Sequence, residues 1–234
     1  MTLPSQYYEE NLYPLQDGVL KTISACETRF YLTGGTALSR AYYNHRYSDD
    51  LDFFVNNDPD YITQVNLILE ALKRDGFVPD ETSKFIQRDS FTSLCVKHSD
   101  WNCALKLDFV NDIVAHFGKI TSTKLFCRTD SVQNILSNKV TALYRCDAKD
   151  VVDIRVIALN YSFNWTDIIR EASEKEGGLE LPMLAQIMKG LPQDRFDAVK
   201  WTQKPLWSDF QQDVDKIVSD LLLGQGNTIY QLCL

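Results

Sequence analysis

The stretch "FYLTGGTALSRAYYNHRYSDDLDFFV", residues 30–55, constrains the fold of this chain more than any other segment. A short apolar run stops at Gly34-Gly35, a segment of helical pattern follows, and "DLDFFV" then alternates polar and apolar residues. Short apolar or alternating runs bounded by turn residues are typical of strands. The stretch therefore predicts a strand, a glycine turn, a helix and a second strand, which is an α/β arrangement.

The segments on either side of this stretch extend the same α/β pattern. Apolar side chains recur every three or four residues from 12 to 26, which predicts an amphipathic helix. Asp58-Pro59 is interpreted as the N-cap and first position of another helix, which stops at Gly76. Residues 77–112 predict strands, including a hairpin that turns at His98–Asn102.

From about residue 130 the pattern becomes helical almost to the end. Residues 131–144 and 149–160 predict two helices separated by a polar turn, and three more helices follow over 165–176, 181–191 and 206–223. We therefore predict an α/β domain over residues 1–130 and an all-helical domain over residues 131–234, with a boundary uncertain by several residues.

Composition excludes several classes of protein. Apolar residues make up 44% of the 234 residues, which is typical of a folded globular chain. There is no apolar run of about 18 residues and no signal-peptide pattern, so we expect neither a membrane span nor secretion. Six scattered cysteines without a CxxC pair, and only three histidines, argue against a zinc site or a disulfide framework and favour the cytoplasm. A net charge of −8 argues against general nucleic-acid binding unless the fold creates a local basic patch.

Asp50 and Asp52 are the first candidate ligands of a metal ion. Residues i and i+2 of a strand point to the same face, with Cα atoms roughly 6.5–7 Å apart. Two carboxylates at this spacing can hold Mg²⁺, whose remaining ligands are usually water and substrate phosphates. The alternative is an ordinary strand whose polar residues face water.

Asp108 is the candidate third carboxylate. It lies in the alternating segment "CALKLDFV", where it shares a face with Lys106 and is flanked by Leu107 and Phe109. On a strand beside Asp52 it would complete the metal cluster and accept a proton from an attacking hydroxyl. The alternative is a single aspartate that faces solvent.

Gly34, Gly35 and Thr36 form a candidate phosphate site. A strand that ends in small residues and leads into a helix offers outward-pointing N–H groups and the positive end of the helix dipole. Arg46, between this turn and Asp50, is a further candidate for phosphate binding. The alternatives are a plain tight turn and a surface arginine.

Lys139, Asp150 and Asp153 form the last candidate group. The two aspartates are three residues apart on a predicted helix and hence neighbours. In one continuous helix Lys139 would share their face and Arg145 would lie opposite, although a turn near Asp147 alters this. Lys139 could neutralise phosphate charge in a transition state. The alternative is a pair of helices joined by surface ion pairs.

Together these residues resemble a known family. "LTGGTALSRAYYNHRYSDDLDFFV", followed much later by "NILSNKVTALYRCDAKDVVDI", is similar to the AbiEii/AbiGii-type nucleotidyltransferases. This bacterial group belongs to the DNA polymerase β-like superfamily and includes toxins of type IV toxin–antitoxin pairs and the related MenT toxins. The resemblance covers roughly residues 30–55 and 132–160, while Asp108 matches only by its strand context.

The resemblance implies a nucleotidyltransferase fold, in which a small mixed sheet is flanked by helices and a helical C-terminal region follows. It implies that Gly34, Gly35 and Thr36 hold the triphosphate of an NTP, and that Asp50 and Asp52 bind Mg²⁺ or Mn²⁺. It also assigns Lys139, with Asp150 or Asp153, to the downstream motif needed for activity. An acceptor hydroxyl would attack the α-phosphate, and pyrophosphate would leave.

Several functions stay open at this level. The first is a toxin that transfers NMP to an acceptor, such as the 3′ end of tRNA, and is neutralised by an antitoxin from a neighbouring gene. The second is a nucleotidyltransferase that modifies a small molecule or a protein. The third is a nucleotide-binding module without turnover. The set Asp50, Asp52 and Asp108 argues against it, because a site without catalytic activity has no physical reason to keep mutually repelling carboxylates together.

Overall fold

The computed structural model describes residues 4–230, which divide into two compact units. The N-terminal unit comprises the described chain up to Val114 together with Lys119–Asp130. The C-terminal unit comprises Ala115–Gly118 and the described chain from Ser131 onward. The assignment of a catalytic domain to residues 1–130 and a helical domain to residues 131–234 stays a prediction.

A six-stranded mixed sheet forms the centre of the N-terminal unit, in the order β1-β2-β6-β5-β3, with β4 also paired to β5. Only β2 and β6 pair in parallel, whereas the other pairs are antiparallel. The strands are β1 (Tyr31–Thr33), β2 (Leu51–Asn56), β3 (Val78–Pro79), β4 (Ile86–Gln87), β5 (Phe91–His98) and β6 (Trp101–Asp112). The predicted strands around the glycine turn and the predicted hairpin between β5 and β6 are thus confirmed.

Alternation in β2 and β6 fixes which face of the sheet is buried. Leu51, Phe53 and Val55 are at most 2% exposed, while the residues between them are more accessible. Leu107 and Phe109 of β6 are buried on the same side, and the rings of Phe53 and Phe109 stack with centroids 5.3 Å apart. Burial of each such side chain contributes about 1.5–3 kcal/mol, so a one-residue slip of register would be costly. The opposite face is left for polar side chains.

Helices flank this sheet. Upstream lie α1 (Pro4–Tyr7), a π-helical segment (Tyr8–Leu12) and α2 (Tyr13–Ser24); the glycine turn opens α3 (Gly34–Thr36), which continues as a π-helical segment (Ala37–Tyr43); and α4 (Tyr61–Arg74) follows β2. In α4 the apolar residues Tyr61, Val65, Ile68 and Leu72 are buried. Helices α2 and α4 and the segment after the glycine turn agree with the sequence prediction, whereas α1 and the π-helical segment before α2 were not predicted.

The predicted cap of α4 is wrong. The helix begins at Tyr61, and Asp60 precedes it without a side-chain cap. Asp58 instead accepts hydrogen bonds from the Arg29 guanidinium at 2.5 Å and from the Asp60 N–H at 2.9 Å. Asp58 thus accepts the N–H two residues on, as a cap residue does, but in the turn before the helix, and it shares its carboxylate with Arg29.

The C-terminal unit is helical, as predicted. Its helices are α5 (Val132–Ala142), a 3₁₀ turn (Leu143–Arg145), α6 (Ala148–Asn160), α7 (Trp165–Lys175), α8 (Leu181–Lys189), α9 (Gln193–Asp197) and α10 (Trp207–Leu223). Among the helices of the described part of this unit, the sequence analysis missed α9, because five residues are too few to show a helical period. Within residues 4–230 no helix is long and apolar enough to cross a membrane.

We expect Asp58→Asn to lower the free energy of unfolding by about 1–2 kcal/mol at neutral pH, because it removes the charge-assisted bonds to Arg29. The Arg29 hydrogen bond lowers the pKa of Asp58 to about 2 in the folded state. The difference in free energy of unfolding between wild type and Asp58→Asn should therefore be fully present above the ordinary pKa of an aspartate. It should disappear as the pH falls through about 2. Urea unfolding between pH 7 and pH 2 measures this.

Asp60→Asn is the matched control. Asp60 binds the same guanidinium at 2.7 Å, but its side chain is 62% exposed. Exposed ion pairs contribute little, so this variant should lose less than about 0.5 kcal/mol. If the difference in free energy of unfolding between wild type and Asp58→Asn stays constant as the pH falls, the stabilising role of the Asp58–Arg29 contact is contradicted.

Candidate functional site

One row of polar residues crosses the sheet on the face opposite the core. Thr33 of β1 pairs with Asp52 of β2, Asp52 pairs with Asp108 of β6, and Asp108 pairs with Ser93 of β5. Because neighbouring strands are about 4.8 Å apart, the two carboxylates are direct neighbours. The structure therefore brings Asp52 and Asp108 together, as the sequence predicts.

Asp108 has both carboxylate oxygens engaged in this structure. Its Oδ1 accepts a hydrogen bond from Ser93 Oγ at 2.6 Å, and its Oδ2 accepts one from Lys106 Nζ at 2.5 Å. Each carboxylate oxygen has a second lone pair, so neither predicted role of Asp108, as ligand or as base, requires these contacts to break. Sequence analysis placed Lys106 on this face through strand alternation, but no sequence signal pointed to Ser93, because only the register of β5 brings it here.

Lys106 is the residue of this site that the sequence analysis left without a role. Burial works to lower the pKa of Lys106, but the hydrogen bond to Asp108 acts in the opposite direction. The negative charges of Asp108, Asp50 and Asp52 add to that effect, and the pKa is raised overall. The ammonium group thus stays charged and balances the clustered carboxylates.

Asp50 is positioned differently from Asp52. The strand begins at Leu51, so Asp50 lies one residue before it and is exposed, whereas the sequence placed it within the strand. The Thr36 hydroxyl, which is buried, donates a hydrogen bond to the carbonyl oxygen of Asp50. The carboxylate of Asp49 accepts a hydrogen bond from the Tyr8 hydroxyl. Side-chain donors from helical segments, rather than the sheet, therefore hold this part of the chain.

The glycine turn lies directly against charged side chains. Gly34 has φ of +69°, and a Cβ on it would lie 2.5 Å from Asp52 Oδ2. A Cβ on Gly35 would lie 2.5 Å from Arg46 Nη2. Arg46 is only 3% exposed. The two glycines thus let a carboxylate approach one side of the turn and a guanidinium the other, and a side chain at either position would displace the charged group.

This arrangement can bind both a cation and an anion. Asp50 and Asp52, two residues apart, offer the hard oxygen donors that Mg²⁺ and Mn²⁺ prefer, and one or two carboxylates suffice when substrate phosphates complete the shell. Within the described residues, no three histidine, cysteine or acidic side chains converge closely enough to hold a metal ion. The chemistry of the Asp50–Asp52 pair suits a divalent cation, and the ligand roles of Asp50, Asp52 and Asp108 stay predictions.

The downstream group forms a separate cluster within the C-terminal unit. Lys139 of α5 contacts Asp150 at 3.0 Å and Asp153 at 2.7 Å, both on α6. Arg145 contacts Asp150 at 2.6 Å from the same side, because Cys146 adopts a left-handed conformation (φ +54°) that turns the chain between the two helices. Both aspartate side chains are fully buried, so the alternative of surface ion pairs is wrong.

A comparison with family models identifies one family for this chain. The family model described as "Nucleotidyl transferase AbiEii toxin, Type IV TA system" matches residues 19–222. This match spans most of the chain, including every candidate residue described above. Among curated proteins, none matches this sequence.

Two solved structures resemble the fold. JHP933 from Helicobacter pylori is 21% identical with a TM-score of 0.51, and the match covers 91% of this chain and 78% of that one. A second H. pylori structure, described as a candidate nucleotidyltransferase, is 22% identical with a TM-score of 0.51, covering 95% of this chain and 84% of that one. At these identities the likeness shows a shared fold.

We expect Gly34→Ala to lower the free energy of unfolding by about 1–3 kcal/mol, because the left-handed backbone costs an L-residue about 1–2 kcal/mol and the added methyl group overlaps Asp52. Gly177→Ala is the matched control, since a Cβ on Gly177 meets no atom within 4 Å. Urea unfolding of both variants makes the comparison. Equal stabilities would show that Gly34 is not constrained by Asp52.

We expect Lys139→Met to lower the free energy of unfolding by about 3–5 kcal/mol, because it removes the ammonium group that two buried carboxylates share, of which Asp150 keeps its contact with Arg145. The double variant Lys139→Met/Asp153→Asn should recover part of this loss, since it removes one of the buried charges. Thermal unfolding of the single and double variants measures the coupling. Strictly additive losses would contradict a shared buried ion cluster.

Proposed function

This chain belongs to the AbiEii nucleotidyl transferase toxin family, and we propose that its N-terminal unit transfers NMP from an NTP to an acceptor hydroxyl at the Gly34–Asp52 site. The chain is a nucleotidyltransferase, and the family implies an NTP substrate and a divalent metal ion. The site residues, the choice of Mg²⁺ and the acceptor are part of the proposal.

One observation carries the proposal. The glycine turn has Asp52 against Gly34 and the buried Arg46 against Gly35. The guanidinium of Arg46 would therefore contact the oxygens of a triphosphate bound along this turn. The nearby carboxylates would bind the cation that accompanies the triphosphate. A plain tight turn needs neither charge, so this pairing favours the phosphate-binding interpretation.

Asp50 and Asp52 would hold Mg²⁺ or Mn²⁺ in this arrangement. A divalent cation, when bound, neutralises triphosphate charge and makes an acceptor hydroxyl more acidic. Lys106 supplies a second positive charge at the same carboxylate row through its contact with Asp108. The chain thus limits the repulsion among its own carboxylates before any substrate arrives.

The remaining residues of the unit bind and orient the substrate. Arg46 and the backbone N–H groups of Gly34 and Gly35 would bind phosphate oxygens as the acceptor oxygen attacks the α-phosphorus. The bond from that phosphorus to the bridging oxygen breaks, and pyrophosphate leaves with the electron pair. Asp108 is the candidate acceptor for the hydroxyl proton, with Lys106 beside its Oδ2 atom.

Thr36 and the Lys139 cluster contribute differently. The Thr36 side chain is occupied by the Asp50 carbonyl, so its proposed part in triphosphate binding rests on its backbone N–H. Lys139 is occupied by two buried aspartates in the C-terminal unit, and a role in neutralising phosphate charge stays a prediction from the family resemblance. For Asp150 and Asp153, the role that their contacts support is to hold Lys139 in place.

The biological role that we propose is that of a toxin. The family is defined by type IV toxin–antitoxin systems, which implies an antitoxin partner. The 3′ end of tRNA is one candidate acceptor, and a protein or small-molecule hydroxyl is another. The net charge of −8 favours an acceptor recognised locally over one captured by a broad basic surface.

Label transfer tests the activity. Purified chain is incubated with each α-³²P-labelled NTP, with Mg²⁺ or Mn²⁺, and with total RNA, total protein or a small-molecule pool. We expect label in one acceptor class, and a loss of at least about 100-fold in Asp52→Asn, because a metal-binding carboxylate is removed. Growth arrest on expression, abolished in the same variant, would support the toxin role.

Asp60→Asn serves as the control for this experiment, since it removes one negative charge from an exposed position on the same unit. It should transfer label like wild type. Transfer by Asp52→Asn at the wild-type rate would refute the proposed site, and absence of label in all three pools with either metal would favour a nucleotide-binding module.

A further inference from the structure

We propose that Gln16 of α2 is a positioning residue for Asp50, which it aligns by binding the main chain immediately before it. The inference rests on the proposed function, because Asp50 matters only if it holds the cation. It concerns a residue more than thirty positions upstream that no motif of the sequence singles out.

The segment Ser48–Asp50 needs donors from outside the sheet. It precedes β2 and carries none of the strand pairings of that sheet. Ser48 is buried and Asp49 half-buried, and carbonyl groups shielded from water require a hydrogen-bond partner. The position of Asp50 therefore depends on whichever side chains supply those bonds.

Gln16 supplies two of these bonds. Its Nε2 donates to the Ser48 carbonyl at 3.1 Å and to the Asp49 carbonyl at 3.2 Å. The Thr36 hydroxyl binds the next carbonyl, that of Asp50. Three consecutive carbonyl groups are thus held by two side chains from different helical segments.

Gln16 is itself held in one orientation. It is 0% exposed, and its Oε1 accepts a hydrogen bond from Arg40 Nη1 at 3.0 Å. Arg40 is fixed in turn by Asp17 at 2.7 Å and by the face of the Tyr13 ring, 4.2 Å from the ring centroid. Because the guanidinium occupies Oε1, the amide nitrogen must face the Ser48–Asp50 segment.

This chain of contacts ends at the proposed cation ligand. A side chain that fixes a ligand through a hydrogen bond typically changes metal affinity or activity about 10–100-fold when removed. Gln16 acts through the main chain rather than on the carboxylate itself, so its loss should displace Asp50 relative to Asp52. Binding of the cation should then weaken even though every carboxylate remains.

The test compares three glutamine variants of the full chain. Gln16→Met removes the donors and the acceptor at similar volume. Gln16→Glu keeps the acceptor for Arg40 but cannot donate to the two carbonyls. Gln64→Met is the control, because Gln64 is likewise buried and hydrogen-bonded, but to Asp58 and to the Arg29 N–H.

Binding of Mn²⁺ alone, followed by electron paramagnetic resonance of the free ion, is the primary measurement, and label transfer gives kcat and KM. We expect both Gln16 variants to raise the Mn²⁺ dissociation constant about 10–100-fold and to lower kcat more than they raise KM. Gln64→Met should lower the melting temperature but leave Mn²⁺ binding unchanged. In an Asp50→Asn background, Gln16→Met should weaken Mn²⁺ binding no further.

Distinct outcomes overturn the inference. Wild-type Mn²⁺ binding in Gln16→Met, or an equal loss in Gln64→Met, would show that Gln16 is merely structural. A wild-type result for Gln16→Glu would show that contact with Arg40, not donation to the carbonyls, matters. If wild type neither binds Mn²⁺ nor transfers label, the proposed function fails and the inference about Gln16 fails with it. If wild type is active and the Gln16 variants bind Mn²⁺ and transfer label as wild type does, only the inference about Gln16 fails.

Discussion

The parallel pairing of β2 with β6 is the constraint on which the rest of the N-terminal unit depends. Its register sets Asp52 beside Asp108 and, on the other face, stacks Phe53 on Phe109. The two effects are inseparable, because a strand alternates its faces residue by residue. Burial of the aromatic layer therefore supplies the free energy that holds two like charges together. A chain with the same carboxylates and a weaker apolar face would have no means of doing so.

The negative charge of Asp52 and Asp108 explains why positively charged side chains lie close to them. The chain as a whole is acidic, yet the carboxylate row carries Lys106, and the glycine turn carries the buried Arg46. The C-terminal unit contains a similar arrangement, in which Lys139 contacts two buried aspartates. In each case a nearby cation offsets the desolvation of carboxylates, which burial alone would not tolerate. The family assignment accords with such a site, since triphosphate chemistry needs anionic and cationic groups side by side.

Local patterns predicted the elements well and some of the site. The strand, glycine turn and return strand of residues 30–55 follow from short-range alternation and from the conformational freedom of glycine. Neighbouring positions for Asp52 and Asp108 followed from strand context. The failures have a common cause, which is competition by distant partners. Arg29 shares the carboxylate of Asp58, which lies in the turn before the helix rather than at its N-cap, and Thr36 holds Asp50 outside the strand in which the sequence placed it.

The sequence by itself determined the order of strands and helices, the faces they bury and the residue types able to bind a cation and phosphates. These depend on neighbours a few positions apart, whose geometry the backbone dictates. Only the tertiary structure decided that Ser93 and Lys106 occupy the oxygens of Asp108 and that Gln16 binds the main chain before Asp50. The contacts of Ser93 and Gln16 join residues far apart along the chain, and their partners are selected by strand register and helix packing, which no local pattern encodes.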